Sequence, residues 1–155
     1  MKLFIGTWIT HPTKTGAFAG VFDSGALWSA PTLGFVADVT SPKLRLHGVI
    51  ACLECLRQPS QTVLVMDDDY IRKCVNGLIG HWSRNGWLTK DGNPVAYQPE
   101  LEKLAQLITV HGLSAAAPES QAEMDLLRSL TTMARDHARQ CGSEMRNSFC
   151  PELPL

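Results

Sequence analysis

The run Thr62-Val63-Leu64-Val65-Met66 passes directly into Asp67-Asp68-Asp69. A short, unbroken stretch of β-branched and apolar residues is the pattern of a strand buried on both faces, as at the centre of a sheet. In sheets of that kind ligands gather at the carboxyl ends of the central strands. Asp67 is therefore predicted to stand at the natural site, and the rest of the chain must supply the neighbouring strands and the layers covering both faces.

The N-terminal forty residues read as an antiparallel meander, because their connections are too short for helical crossovers. Residues 2–10 are rich in β-branched and aromatic types and predict a first strand. A turn at Pro12 leads to a second strand over 16–22, then the turn Asp23-Ser24-Gly25 and extended pieces over 26–29 and 33–39. The period then changes. Leu46, Val49, Ile50, Leu53 and Leu56 recur at helical spacing, and Ser41-Pro42 suits a helix start. This helix, over 44–58, predicts a right-handed crossover that sets strand 62–66 parallel to the first. Further helices are expected from 69 or 70 to 82, over 98–107 and over 121–139. A short strand is expected at 108–111, a loop at 112–120, and a loose tail from Gly142. The order β-β-β-α-β-α-α-β-α describes a mixed sheet flanked by helices, an α/β domain of α+β character. Domain boundaries are expected at 1–140, with 141–155 as a flexible tail.

The 155 residues carry 14 Lys plus Arg against 15 Asp plus Glu, a net charge of -1. Any nucleic-acid affinity must then come from a local patch rather than bulk charge. No apolar run reaches the roughly 20 residues that cross a bilayer, and the first residues predict no cleavable leader. No membrane partner is expected. The five cysteines, an odd count, fit reduced thiols in a cytoplasm. Cys52 and Cys55 form a C-x-x-C inside a helical pattern with no second pair at zinc spacing, so packing is the favoured reading and metal or redox work the alternative.

Residues 63–108 resemble the type 1 ribonuclease H family. That family has a strand ending in Asp, a Tyr three residues on, the pattern W-x-x-x-G-W-x-T-x-x-G-x-P-V, and a leucine-rich helix. Here these are Asp67, Tyr70, Trp82, Gly86, Trp87, Thr89, Gly92, Pro94 and Val95, followed by Leu101, Leu104 and Leu107. His11-Pro12, Gly16 and the segment Phe18-Ala19-Gly20-Val21 are similar to the family's first turn and second strand, and Leu46–Leu56, including the Leu53-Glu54 pair, to its first helix. The resemblance implies a ribonuclease H-like five-stranded mixed sheet. It also implies cleavage of the RNA strand of an RNA–DNA hybrid by two Mg²⁺ ions held by carboxylates.

The carboxylates do not all match. Gly6 stands where the family's first strand carries a ligand Asp, and Arg45 where its first helix carries a ligand Glu. Asp67 keeps its position. The final-helix ligand would be Asp125, or Glu123, in a poorly matching context, and the family's mobile loop His is absent because Leu113 follows Gly112. An arginine repels an incoming divalent ion, by about 4 kcal/mol per unit charge pair at 4 Å and an effective dielectric near 20. Arg45 is therefore expected to replace the metal and pair with Asp67, with an ordinary solvated arginine as the plain alternative. The Asp67-Asp68-Asp69 triplet reads as a metal site or as helix N-terminal charge, since contiguous side chains cannot all face one ion.

Arg84, Trp87, Lys90 and Lys43 are the residues expected to bind the substrate backbone, although tryptophans are more often core anchors than stacking platforms. The favoured reading is a protein that binds nucleic acid, a hybrid or a duplex, and has lost hybrid cleavage. It needs no cofactor. One alternative is an active ribonuclease using Mg²⁺ or Mn²⁺ on a rearranged shell of Asp67, Asp68, Asp69 and Asp125 or Glu123. Another is a protein-binding pseudoenzyme whose C-terminal helix contacts a partner or a second copy. If absent carboxylates are the whole defect, Gly6→Asp together with Arg45→Glu restores hybrid cleavage in Mg²⁺. A silent double variant means that more of the scaffold has changed.

Overall fold

The computed structural model describes residues 1–147, with side chains through Gly142. Three antiparallel strands open the chain: β1 (Lys2–Thr10), β2 (Thr15–Asp23) and β3 (Thr32–Val36). Helix α1 (Ser41–Glu54) crosses over to β4 (Val63–Val65), which lies parallel to β1 with Phe4 opposite Val65. After β4 come α2 (Asp69–Lys73), a π-helical turn at Cys74–Leu78, and α3 (Ile79–Arg84). Helix α4 (Gln98–His111) leads to β5 (Ser114–Ala116), parallel to β4, and α5 (Gln121–Asn147) closes the fold. The sheet order is β3-β2-β1-β4-β5, so the expected five-stranded mixed sheet flanked by helices is what forms.

Strand alternation divides the core. Leu3, Ile5, Leu64 and Met66 face α1 and the α2–α4 layer, where Leu44, Leu46, Val49, Leu53, Ile71, Leu101 and Leu104 are buried. Phe4, Ala17, Ala19, Val21 and Val65 face α5, which presents Leu127, Leu130, Ala134 and Ala138. Gly6, Ala17 and Ala19 leave room on the α5 side, so that helix lies close to the sheet.

Several boundaries differ from the sequence reading. Residues 26–29 form no strand; Trp28 makes a single bridge to Asp23. Helix α1 ends at Glu54, with Cys55 capping it through backbone N–H bonds to Cys52 and Leu53. The strand expected at 108–111 is the last turn of α4, which stops at Gly112 with φ near +54°, and the strand is displaced to Ser114–Ala116. A left-handed glycine ends a helix readily, and periodicity alone could not distinguish the helix turn from a short strand. Helix α5 runs past Arg139 to Asn147, so the first part of the expected tail is helical. Residues 148–155, including Cys150, lie outside the described residues.

Two side-chain devices hold the ends of this frame. The Asn76 amide, carried by the π-helical turn, donates to Ala115 O at 2.9 Å and accepts from Ala115 N at 2.8 Å, closing the free edge of β5. At the start of α5, Ser120 Oγ accepts from Glu123 N at 3.2 Å, while Glu123 accepts from Glu119 N and from Lys2 Nζ at 2.7 Å. Cys52 is buried against the sheet where Gly20 leaves room, and burial pushes its thiol up to about 12. That supports the packing reading of the C-x-x-C.

The Lys2 hydrogen bond holds the Glu123 carboxyl below its ordinary 4.5, and Glu123 in turn raises Lys2 above 10.5. A depressed carboxylate contributes stability above its unfolded value, and that contribution is lost as pH falls through the folded value. Glu123→Gln is therefore expected to lower the thermal midpoint at neutral pH. The difference from the parent should vanish as the pH drops below the carboxylate range, which melts across an acid series would show.

Candidate functional site

Continuing the β1–β4 register by two residues sets Gly6 beside Asp67. A cleft of about 460 Å³ opens there, at the carboxyl ends of the two strands. Thr7, Arg45, Asp67, Asp68, Arg128 and Thr132 supply its polar lining, and Met66, Met124 and Leu127 part of its apolar lining. The sequence-predicted positions Gly6, Arg45 and Asp67 are thus brought together.

The three aspartates separate at once. Asp67 is exposed on the cleft. Asp68 turns back as the N-cap of α2 and accepts from Ile71 N at 2.8 Å. Asp69 points outward to Lys73 at 2.8 Å and Arg72 at 3.6 Å, and the Lys73 hydrogen bond lowers its carboxyl. The expected pairing of Arg45 with Asp67 is corrected: Arg45 Nη1 lies 3.1 Å from Asp68 Oδ2. The reason is local. Capping α2 turns the Asp68 carboxylate inward, where its side chain is 15% exposed, and a carboxylate so confined takes the nearest guanidinium.

Asp125 does not line the cleft. It sits on the solvent side of α5, accepting from Gln121 Nε2 at 2.8 Å, with Arg128 3.5 Å away. Glu123 is held at the far end of β1 by Lys2. The turn of α5 that reaches the cleft brings Arg128, Thr131 and Thr132. Arg128 is a cleft residue that sequence reasoning missed. Its i+3 spacing from Asp125 was readable, but which turn of α5 meets β1 was not.

Gly6 has its own physical cause. A Cβ built there would press on the Thr131 amide nitrogen, 2.6 Å from the Leu130 carbonyl carbon and 2.9 Å from Thr131 Cα. Backbone of α5 fills the space where a side chain would begin. Among the described residues no three His, Cys, Asp or Glu side chains converge on one point. The donors at the cleft are one free carboxylate and one tied to a guanidinium and a helix N-terminus. They do not fit a pair of Mg²⁺ ions, which demand several convergent oxygens.

None of Lys43, Arg84, Trp87 and Lys90 lines this cleft. Lys43 lies 3.6 Å from Glu100, which His47 also approaches at 3.9 Å. Arg84 and Lys90 are exposed, the first in the last turn of α3 and the second at the tip of a tight turn closed by Gly92 N to Thr89 O at 3.0 Å. Trp82 and Trp87 pack against the main core, in line with the anchor reading. Trp87 takes a positive φ of 62° and its N–H donates to Trp82 O at 2.8 Å, so the chain turns off α3 there.

The Asp67 and Asp68 roles separate by substitution. Asp68→Ala loses a cap and an ion pair and is expected to cost about 1–2 kcal/mol. Asp67→Ala should stay within about 0.5 kcal/mol, as exposed positions do. Denaturant unfolding measures both, and Asp68→Asn, which retains capping ability, isolates the ion pair. A larger loss at Asp67 would mean that Arg45 pairs there instead.

Comparison with known proteins agrees with this architecture. No family model matches the chain. A ribonuclease H from Bradyrhizobium sp. (strain ORS 278) is 31% identical over 103 residues, covering 62% of this chain and 67% of that protein. Matches to other ribonuclease H sequences cover 38% and 53% of their lengths. Among solved structures, a foamy viral protease-reverse transcriptase in complex with RNA/DNA hybrid superposes over 88% of this chain and 20% of its own, with a TM-score of 0.74 and 10% identity. LC11-RNase H1, also in complex with RNA/DNA hybrid, covers 88% of this chain and 97% of its own at a TM-score of 0.62 and 12% identity. A parallel β1–β4 pair bridged by α1, the 82–95 motif folded as a turn off α3, and a relative matched over two-thirds of its length together place the chain in the ribonuclease H family, with a type 1 fold.

Proposed function

We propose that this protein binds an RNA–DNA hybrid or a nucleic-acid duplex without cutting it. The observation that supports this most is the Arg45–Asp68 ion pair at 3.1 Å. It sets a guanidinium in the cleft where the family resemblance calls for a carboxylate and cations.

Two-metal hydrolysis needs both the attacking water and the leaving oxygen stabilised by ions. A cleft with one free carboxylate holds neither ion firmly, because the guanidinium of Arg45 already occupies the Asp68 carboxylate. What is left is a surface able to contact a phosphodiester backbone. Arg128 and Thr132 line the cleft. Arg84 and Lys90 stand exposed beyond it, and Lys43 lies on the first turn of α1, near Arg45. Phosphate contacts of this kind position a duplex without reading its sequence. The modest number of cations, with Lys43 close to Glu100, argues for weak, salt-sensitive binding. Structural neighbours solved with an RNA/DNA hybrid support that class of partner.

The test is fluorescence anisotropy with a labelled hybrid across a salt series, run beside a cleavage assay in Mg²⁺ and in Mn²⁺. Retention that weakens with salt, with the RNA strand intact, is expected. Arg128→Ala and Lys90→Ala should each weaken binding for all sequences alike and reduce the salt slope by about 1. Cleavage abolished by Asp67→Asn would instead show a working ribonuclease on a rearranged shell. Failure to retain any nucleic acid would overturn the binding reading and favour a protein-binding role.

A further inference from the structure

The cleft departs from a two-metal site in two physically different ways. At Arg45 one side chain replaces another. At Gly6 the space itself is taken. Because the built Cβ falls on backbone atoms of Leu130 and Thr131, no rotamer change relieves the contact. Leu130 is 2% exposed and Ala134 fully buried in the same layer, so α5 is held down on either side of this point. Lys2–Glu123 at 2.7 Å ties the helix start to β1, while Ala138 and Cys141 are buried toward its other end. The helix is thus anchored along most of β1.

Its seating also decides which side chains meet the cleft. With Thr131 over Gly6, Arg128 and Thr132 line the opening and Asp125 faces solvent. The first-strand ligand and the final-helix ligand are therefore excluded by one cause. We infer that α5 has closed the first cation position with its own backbone, so that the cleft works without divalent ions and cannot be rebuilt by restoring carboxylates at 6 and 45. The inference deepens the proposed function by making the partner's engagement metal-independent. Its physical core, however, does not require that any nucleic acid bind.

The first measurement is thermal melting of Gly6→Ala, the smallest side chain that enters the closed space. Overpacking a seated helix should lower Tm by roughly 2–12 °C in a chain of this size. Gly6→Asp should fall at least as far. Should either variant fail to fold, the wild-type protein carries the test. In a titration with Mn²⁺, the amide signals of Gly6, Asp67 and Thr131 are expected to keep their intensity at concentrations that saturate a magnesium-dependent nuclease.

Gly6→Asp with Arg45→Glu is expected to leave a hybrid uncut in Mg²⁺. An unchanged Tm for Gly6→Ala overturns the inference. So does selective Mn²⁺ broadening around Gly6, or cleavage by the double variant. Hybrid retention by the wild-type protein in EDTA, equal to that in Mg²⁺, supports it. A hybrid that fails to bind in either buffer sinks the functional proposal while leaving the melting and Mn²⁺ results to be judged alone.

Discussion

Parallel pairing of β1 with β4 is the constraint on which the molecule depends. It brings residues sixty-one positions apart into neighbouring strands, Lys2 to Val63 and Phe4 to Val65. Only a covered crossover makes such a pair, and α1 supplies it by burying Leu44, Leu46, Val49 and Leu53 beneath the sheet. Because α1 starts where β3 has ended and finishes where β4 begins, its first turns lie over the carboxyl end of the sheet. That is how Arg45 reaches the aspartates. The cleft follows from the crossover, and its chemistry from which residues the crossover delivers.

Charge in the cleft is arranged so that the protein balances itself. A carboxylate confined as Asp68 is would be costly unpaired. It receives a hydrogen bond from the Ile71 amide and an ion pair from the Arg45 guanidinium. The first serves the start of α2 and the second ties α1 to it. One residue thereby links two helices and the end of β4. Asp67, one step earlier in the chain, faces out on the other side of the strand and keeps its carboxylate open to the cleft.

The 82–95 segment takes its shape from mechanical requirements of its own. Gly86 and Gly92 take positive φ values of 68° and 79°, where a side chain would be strained. Trp87 joins them at 62° because its indole packs on the core and its N–H closes onto Trp82. Pro94 bridges Leu88, and Val95 donates to Trp87 O at 2.9 Å, so the turn is laced back on itself. These are conditions for a folded protrusion, and they hold whatever the cleft does.

Local pattern was enough for much of this molecule. Strand runs at 2–10 and 16–22, the change to helical period after Pro42, the doubly buried strand before Asp67 and the leucine spacing of α4 each follow from side chains within a few positions of one another. The sequence also placed Gly6, Arg45 and Asp67 at one site. It could not say that Asp68 rather than Asp67 takes the arginine, since that depends on which carboxylate turns inward to cap a helix. Nor could it say why Gly6 is glycine, which turn of α5 carries Arg128 to the cleft, or where β5 lies. Those were decided by packing. A helix seated on a sheet selects its register through contacts between residues more than a hundred positions apart, and no pattern along the chain records that distance.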